Sequence, residues 1–242
     1  MTKRWRLKPQ PTDEEVNGLA SALRIDRVLA KLLVQRNIKT YDQARTFFHP
    51  ELNDLHDPFL MKDMDKAVSR VQQALDNGEG ILVYGDYDVD GTTAVAMMYS
   101  FLKKFHPKVR TYIPDRNNEG YGVSRKGIDY AQNNKCSLII ALDCGIKADK
   151  EIDYAASKGI DIIICDHHRP SDKLPGAVAV LDPKRPDCRY PFKELSGCGV
   201  GLKLIQAVCK SKGWDEKAVL AEYLDLAAVS IGADIVPIVD EN

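Results

Sequence analysis

The sequence predicts an α/β fold: a parallel sheet with helices on both faces, preceded by a small helical N-terminal region. Three observations predict it. From Gly80 onward, short β-rich runs alternate with helical stretches, the rhythm of successive βαβ units. Before that point only helical spacing is found. Three of the β-rich runs also end in acids or histidines, as strands do that deliver a ligand site at their carboxyl ends.

Residues 1–77 form the predicted helical region. Leu19, Leu23, Val28, Leu29, Leu32 and Leu33 recur at roughly helical spacing. Thr40 is placed to cap a short helix through Phe47, which Pro50 stops, and a further helix over Asp63–Leu75 ends at Asn77-Gly78. Residues 78–242 then read as strand Ile81–Gly85, helix Thr92–Phe105, strand Val109–Ile113, helix Ser124–Asn134, strand Leu138–Leu142 and helix Ala148–Lys158. Strands Ile160–Cys165 and Val178–Leu181 follow, then a helical stretch from Val200 to Ile231.

The 242 residues suffice for one large domain, or one domain and an appendage, with a substantial core. The net charge of −1 does not advertise nucleic-acid binding, although a carboxylate-rich metal site would mask a basic groove elsewhere. None of the six cysteines forms a CxxC pair, which favours reduced thiols over a zinc site or a disulfide framework. The basic start, MTKRWRLKPQP, lacks the apolar stretch of a signal peptide, and no apolar run reaches the ~18 residues of a membrane span. A cytoplasmic protein with no membrane partner is expected.

The chemistry concentrates at the strand ends. ILVYG runs into Asp86-Tyr87-Asp88-Val89-Asp90-Gly91, LIIAL into Asp143-Cys144-Gly145, and IDIIIC into Asp166-His167-His168. Carboxylates brought together drive one another toward protonation. A divalent cation removes that penalty, and carboxylate oxygens with one or two imidazoles suit Mn²⁺ or Mg²⁺. On extended backbone, Asp86, Asp88 and Asp90 would line one face. The spacing is not an EF-hand, whose twelfth position needs a glutamate where Met97 stands. Gly91-Thr92 open a helix whose free N–H groups could meet a phosphate.

These residues resemble the DHH phosphoesterase superfamily, and in particular its single-strand-specific 5′→3′ exonuclease branch. The resemblance is carried by VYGDYDVDGTTA (Val83–Ala94), IPDRNNEGYG (Ile113–Gly122), ALDCGI (Ala141–Ile146), CDHH (Cys165–His168), SGCGVG (Ser196–Gly201) and DLAAVSIGADIVPIVDEN (Asp225–Asn242). It implies that Asp88, Asp90, Asp143, His167 and Asp234 are ligands to two metal ions, Mn²⁺ or Mg²⁺, with Asp143 as the bridge. It implies that Asp86, Asp166 and His168 act in or beside the site, His168 on the scissile phosphate or as an acid. Two metals ~3.5–4 Å apart would supply the nucleophile and stabilise the leaving oxygen. Single-stranded DNA would be the substrate, in recombination and repair, with a single-strand-binding protein and a helicase as partners of a monomeric enzyme. Arg116 and the backbone of Ser196–Gly199, Gly197 and Gly199 above all, are candidate phosphate contacts, and Tyr121 is a candidate for stacking on a base.

Two departures from the family pattern stand out. Many relatives carry a histidine four residues before the acid matched by Asp88; here it is Tyr84, so water is expected to complete the first metal site. The family also continues beyond the point matched by Asn242, into a DHH-associated domain with a Gly-Gly-His motif and an OB-type domain; the chain reads as the N-terminal part of such a protein. Alternatives are a phosphodiesterase of the same superfamily acting on short oligonucleotides or bisnucleotides, and a catalytically dead scaffold. A manganese pyrophosphatase would need a histidine at Tyr84.

Overall fold

The computed structural model describes residues 4–242. The chain divides into two compact units, one reaching to Leu55 and the other spanning His56–Asn242.

The first unit holds helices α1 (Asp13–Leu23), α2 (Arg27–Val34) and α3 (Tyr41–Phe48). Side chains that accept the orphan N–H groups of the first turn start each of them. Thr12 and Thr40 form capping boxes with Glu15 and Gln43, and Asp26 accepts from the Val28 N–H. The unit's core is Val16, Leu19, Ala20, Ala30, Leu33 and Val34. Helical spacing thus locates Leu19 and Leu33 correctly, but Val28, Leu29 and Leu32 are exposed. The reason is the small size of the unit: α2 buries one narrow stripe against α1, and Leu29 and Leu32 line an open hollow with Tyr41, Phe47 and Phe48 of α3.

The second unit is built on five parallel strands in the order β2-β1-β3-β4-β5. They are β1 (Gly80–Gly85), β2 (Val109–Tyr112), β3 (Cys136–Leu142), β4 (Asp161–Cys165) and β5 (Ala179–Leu181). Leu138–Leu142 and Ile162–Cys165 are buried without interruption, as strands covered on both faces are. One face carries α6 (Arg125–Asn133) and α7 (Asp149–Ser157), which bury Ile128, Ala131, Ile152 and Ala155 on Leu82, Ile139, Ala141, Ile162 and Ile164. The other face carries α5 (Val89–Lys103) and α8 (Gly197–Lys212), against which α10 (Leu224–Asp234) packs. Burial of thirteen consecutive residues, Gly197–Cys209, makes α8 the centre of this layer.

The stretch expected to be helical from Val200 to Ile231 is three helices. Gly213 ends α8 in the left-handed conformation, and α9 (Glu216–Ala221) intervenes before α10. The expected division at 77/78 also differs from the observed one at Leu55/His56. Helix α4 (Met64–Asp76) packs on α8 and β5, and its Arg70, on the apolar side of the helix, pairs with Glu79 at 2.7 Å and Asp161 at 2.6 Å. A guanidinium buried at that depth needs both acids, so α4 is held to the sheet unit. Among the described residues no helix is long and apolar enough to cross a membrane. All six cysteines are free and buried.

Candidate metal centre

The sheet brings the ends of β1, β3 and β4 to one edge. Asp86, Asp88 and Asp90 follow β1, Asp143 follows β3, and Asp166, His167 and His168 follow β4. Helix α10 delivers Asp234 to the same place from its last turn. Ligand atoms of Asp86, Asp88 and Asp143 lie within 4.8 Å of one another, as do those of Asp143, His167 and His168 and those of Asp90, His167 and Asp234. Asp143 and His167 are shared between groups, so the three groups are one centre.

The electrostatics of this centre ask for a cation. His167 Nε2 stands 3.2 Å from Asp143 Oδ1 and 3.7 Å from oxygens of both Asp90 and Asp234. Burial, with the charges of Asp90 and Asp88 added, pushes the Asp143 carboxyl up to about 10. Burial likewise raises Asp86 and Asp234. Three buried atoms that point into the centre, Asp86 Oδ1, Asp143 Oδ1 and His167 Nε2, have no hydrogen-bond partner. His167 Nε2 and Asp143 Oδ1 face each other without hydrogen-bond geometry, so a cost of about 1–3 kcal/mol per unsatisfied buried group is left for a cation to relieve. The donor set, five carboxylates and one imidazole with a second beside it, fits a hard divalent ion such as Mn²⁺ or Mg²⁺.

Other residues hold these groups in place. Asp166 turns away from the centre and accepts from the N–H groups of Ile146, His167 and His168 and from His168 Nδ1 at 2.8 Å. Burial would raise its carboxyl, but these donors, the His168 ring first, hold it below the ordinary range, and Asp166 in turn raises His168. The two form an ion pair whose histidine is half-exposed at the mouth of the site. Asp90 accepts from the N–H groups of Gly197 and Cys198 and from the Ser230 hydroxyl, each at 2.7 Å. Asp88 caps α5 through the Gly91 N–H, at 2.9 Å.

This arrangement corrects the reading of the Ser196–Gly199 segment as a phosphate-binding backbone. Its N–H groups are buried and engaged: Gly197 and Cys198 with Asp90, and Gly199 with the Ser196 hydroxyl at 3.0 Å. The segment is the first turn of α8, and its positive end is spent on Asp90. Gly197 serves close approach, since a Cβ there would stand 2.5 Å from Asp143 Cβ.

Arg116 is exposed on a turn and lies over the Tyr87 ring, 5.2 Å from its centroid, at the rim beside the Asp86–Asp90 loop. Tyr121 directs its hydroxyl to the Asp143 carbonyl at 3.2 Å and to the His168 ring at 3.3 Å, while the residue remains 54% exposed. Tyr84 does not face the centre. Its buried hydroxyl donates to Gly122 O at 2.8 Å and accepts from the Ser124 N–H at 3.1 Å, which pins the loop that carries Tyr121.

Ser230 and Asp182 went unread in the sequence, as did the side-chain role of Ser196. Ser196 and Ser230 complete the cradle of Asp90, bonded to each other at 2.7 Å. Ser230 precedes Asp234 by four residues, and that spacing already puts both on one helix face. Asp182 follows β5 as the other acids follow their strands. It is fully buried, keeps one oxygen without a partner, and burial pushes its carboxyl up to about 7.

Residues 80–231 match the family model for the DHH family, N-terminal domain. The chain belongs to the DHH family. It is 42% identical over 239 residues to the single-stranded-DNA-specific exonuclease RecJ of Bacillus subtilis (strain 168), covering 99% of this chain and 29% of that protein. The crystal structure of RecJ in complex with Mn²⁺ from Thermus thermophilus superposes with a TM-score of 0.80 at 27% identity, over 97% of this chain and 32% of that one. Its Mg²⁺ complex superposes with a TM-score of 0.67 at 25% identity, over 97% of this chain and 29% of that one. The chain thus spans about three tenths of the length of the relatives it matches.

Proposed function

We propose that this chain carries the catalytic centre of a metal-dependent, single-strand-specific 5′→3′ exodeoxyribonuclease acting in DNA recombination and repair. The observation that carries the reading is the convergence of unpartnered, buried ligand atoms from β1, β3 and β4 on one point. The RecJ relatives, described as single-stranded-DNA-specific exonucleases and crystallised with Mn²⁺ or Mg²⁺, support the same substrate and ions. Asp88, Asp90, Asp143, His167 and Asp234 would hold the ions, with Asp143 between them and Asp86 adding its free oxygen. Ions so held supply Lewis acidity and an activated nucleophile for phosphodiester hydrolysis.

The chain's own groups do the rest. Asp166 raises the proton affinity of His168 at the mouth, where its exposed edge can hold a phosphate oxygen or give a proton to the leaving oxygen. Tyr121 steadies that ring. Arg116 and Tyr87 offer a cation and an aromatic face at the rim for a single strand. The family resemblance adds a single-strand-binding protein and a helicase as partners, a monomeric state and a cytoplasmic setting.

The test is digestion of a 5′-phosphorylated, 3′-labelled single-stranded oligonucleotide in Mn²⁺ by the wild type and by Asp143→Asn. Stepwise loss from the 5′ end by the wild type alone is expected. Equal digestion by the variant overturns the metal assignment. Hydrolysis confined to dinucleotides moves the reading to a phosphodiesterase of short oligonucleotides or bisnucleotides.

A further inference from the structure

The metal centre uses the carboxyl ends of the strands. At the opposite, amino ends of β1, β2 and β3 lies a separate cavity of about 610 Å³, within the size range of small-molecule sites. Six residues of β1, at ~3.3 Å each, put it ~20 Å from the metal centre.

Three connections line it, and two of them bring positive charge: the α5–β2 connection carries Lys103, Lys108 and Arg110, and the entry to β3 carries Lys135, while the entry to β1 brings Glu79. This is a local concentration in a chain whose net charge is −1. The one acid in the lining, Glu79, is engaged by Arg70 at 2.7 Å and hydrogen-bonded by Ser137. Lys103 and Lys108 are tethered to the Pro107 and Gly78 carbonyls at 2.7 and 2.9 Å, which fixes where their ammonium groups stand. Among the described residues, the side chains of Arg110 and Lys135 make no ion pair or hydrogen bond. Lys135 has φ +56°, a conformation that glycine would adopt more cheaply. Its backbone is pressed onto the start of β1, where a Cβ on Gly80 would stand 2.5 Å from Lys135 O. The walls are therefore preformed, and two cations in them are unused.

We propose that this cavity binds a compact, multiply charged phosphate, in the range from pyrophosphate to a nucleoside 5′-phosphate. A planar guanidinium with three ammonium groups around a wall that is about half polar matches phosphate oxygens in charge and in donor geometry. The inference is independent of the reading of the metal centre.

The experiment is calorimetric titration of the protein in EDTA with pyrophosphate and, separately, with dAMP; the stronger of the two identifies the ligand type. One saturable site that weakens with added salt is expected. Lys135→Gly should weaken it about tenfold or more, a loss of about 1.4 kcal/mol. Because glycine suits that backbone, its thermal midpoint should hold or rise, so lost binding will not reflect lost fold. Arg110→Ala should act alike, and Asp143→Asn should bind as the wild type does. The proposal is overturned by an absence of saturable binding at millimolar ligand, by unchanged affinity in Lys135→Gly, or by loss of binding in Asp143→Asn. It is overturned too if a single-stranded oligonucleotide, and neither small phosphate, loses affinity in Lys135→Gly.

Discussion

Asp143 is a buried carboxyl crowded by the charges of Asp90 and Asp88. It sits at φ +59°, a region that Asp and Asn tolerate better than alanine. Asp143→Asn therefore keeps the turn and removes only the charge. The sign of its pH dependence follows from the raised carboxyl. In the metal-free protein at neutral pH, Asp143 holds a proton that the unfolded chain has lost. Its contribution to stability is full below about 3.9 and fades as pH rises toward about 10. Binding a cation must expel that proton. Mn²⁺ affinity should thus increase with pH across this range, with proton release seen by calorimetry in buffers of different ionisation enthalpy. Pure coordination without proton release would contradict the burial argument. Asp182 makes a similar case without being a ligand. Its carboxyl, raised to about 7 by burial, favours the fold fully below about 3.9 and less as pH climbs through 7. Melting curves in EDTA should fall from pH 4 to 8 in the wild type, and Asp182→Asn should flatten that fall.

At the scale of elements, the first turn of α8 joins Asp90 and Asp143. Gly197→Ala would drive a methyl into Asp143. We expect it to destabilise the protein by about 1–3 kcal/mol and to weaken Mn²⁺ binding, measured by urea unfolding and calorimetry; a neutral outcome would mean that α8 can slide. Ser230→Ala removes one of three donors to Asp90 and should cost about 1–2 kcal/mol. The sheet elements were legible in the sequence to within a few residues, because β-rich runs and helical spacing are local signals. The glycines of Ser196–Gly199 were also legible as a special place. Their task was not, since whether a helix N-terminus meets a phosphate or a buried carboxylate depends on Asp90, more than a hundred residues earlier. Helix α4 was read correctly as a helix, but its attachment to the sheet unit was not, because Asp161, one partner of Arg70, stands ninety-one residues further along the chain.

For the molecule as a whole, the centre is a store of unfavourable free energy that a divalent ion releases. Mn²⁺ at a hundred times its dissociation constant should stabilise the native state by about 2.7 kcal/mol. The thermal midpoint should rise on adding Mn²⁺ and fall back in EDTA. No shift in the wild type, or an equal shift in Asp143→Asn, would place the ion elsewhere.

By itself, the sequence determined the α/β class, the strand and helix sequence from Gly80 to Leu181, and the acids and histidines that stand at the strand ends. These follow from periodicity and from residue chemistry, which act over a few residues. Only the tertiary structure decided the roles within the site: Asp166 as the anchor of His168 rather than a ligand, Gly197 as the gap that admits Asp143, Tyr84 as the pin of the Tyr121 loop, and Asp182 as a buried acid. Those roles are set by which donors and acceptors meet inside the fold. A buried polar group must find its partner wherever the chain brings one, and spacing along the sequence does not say where that is.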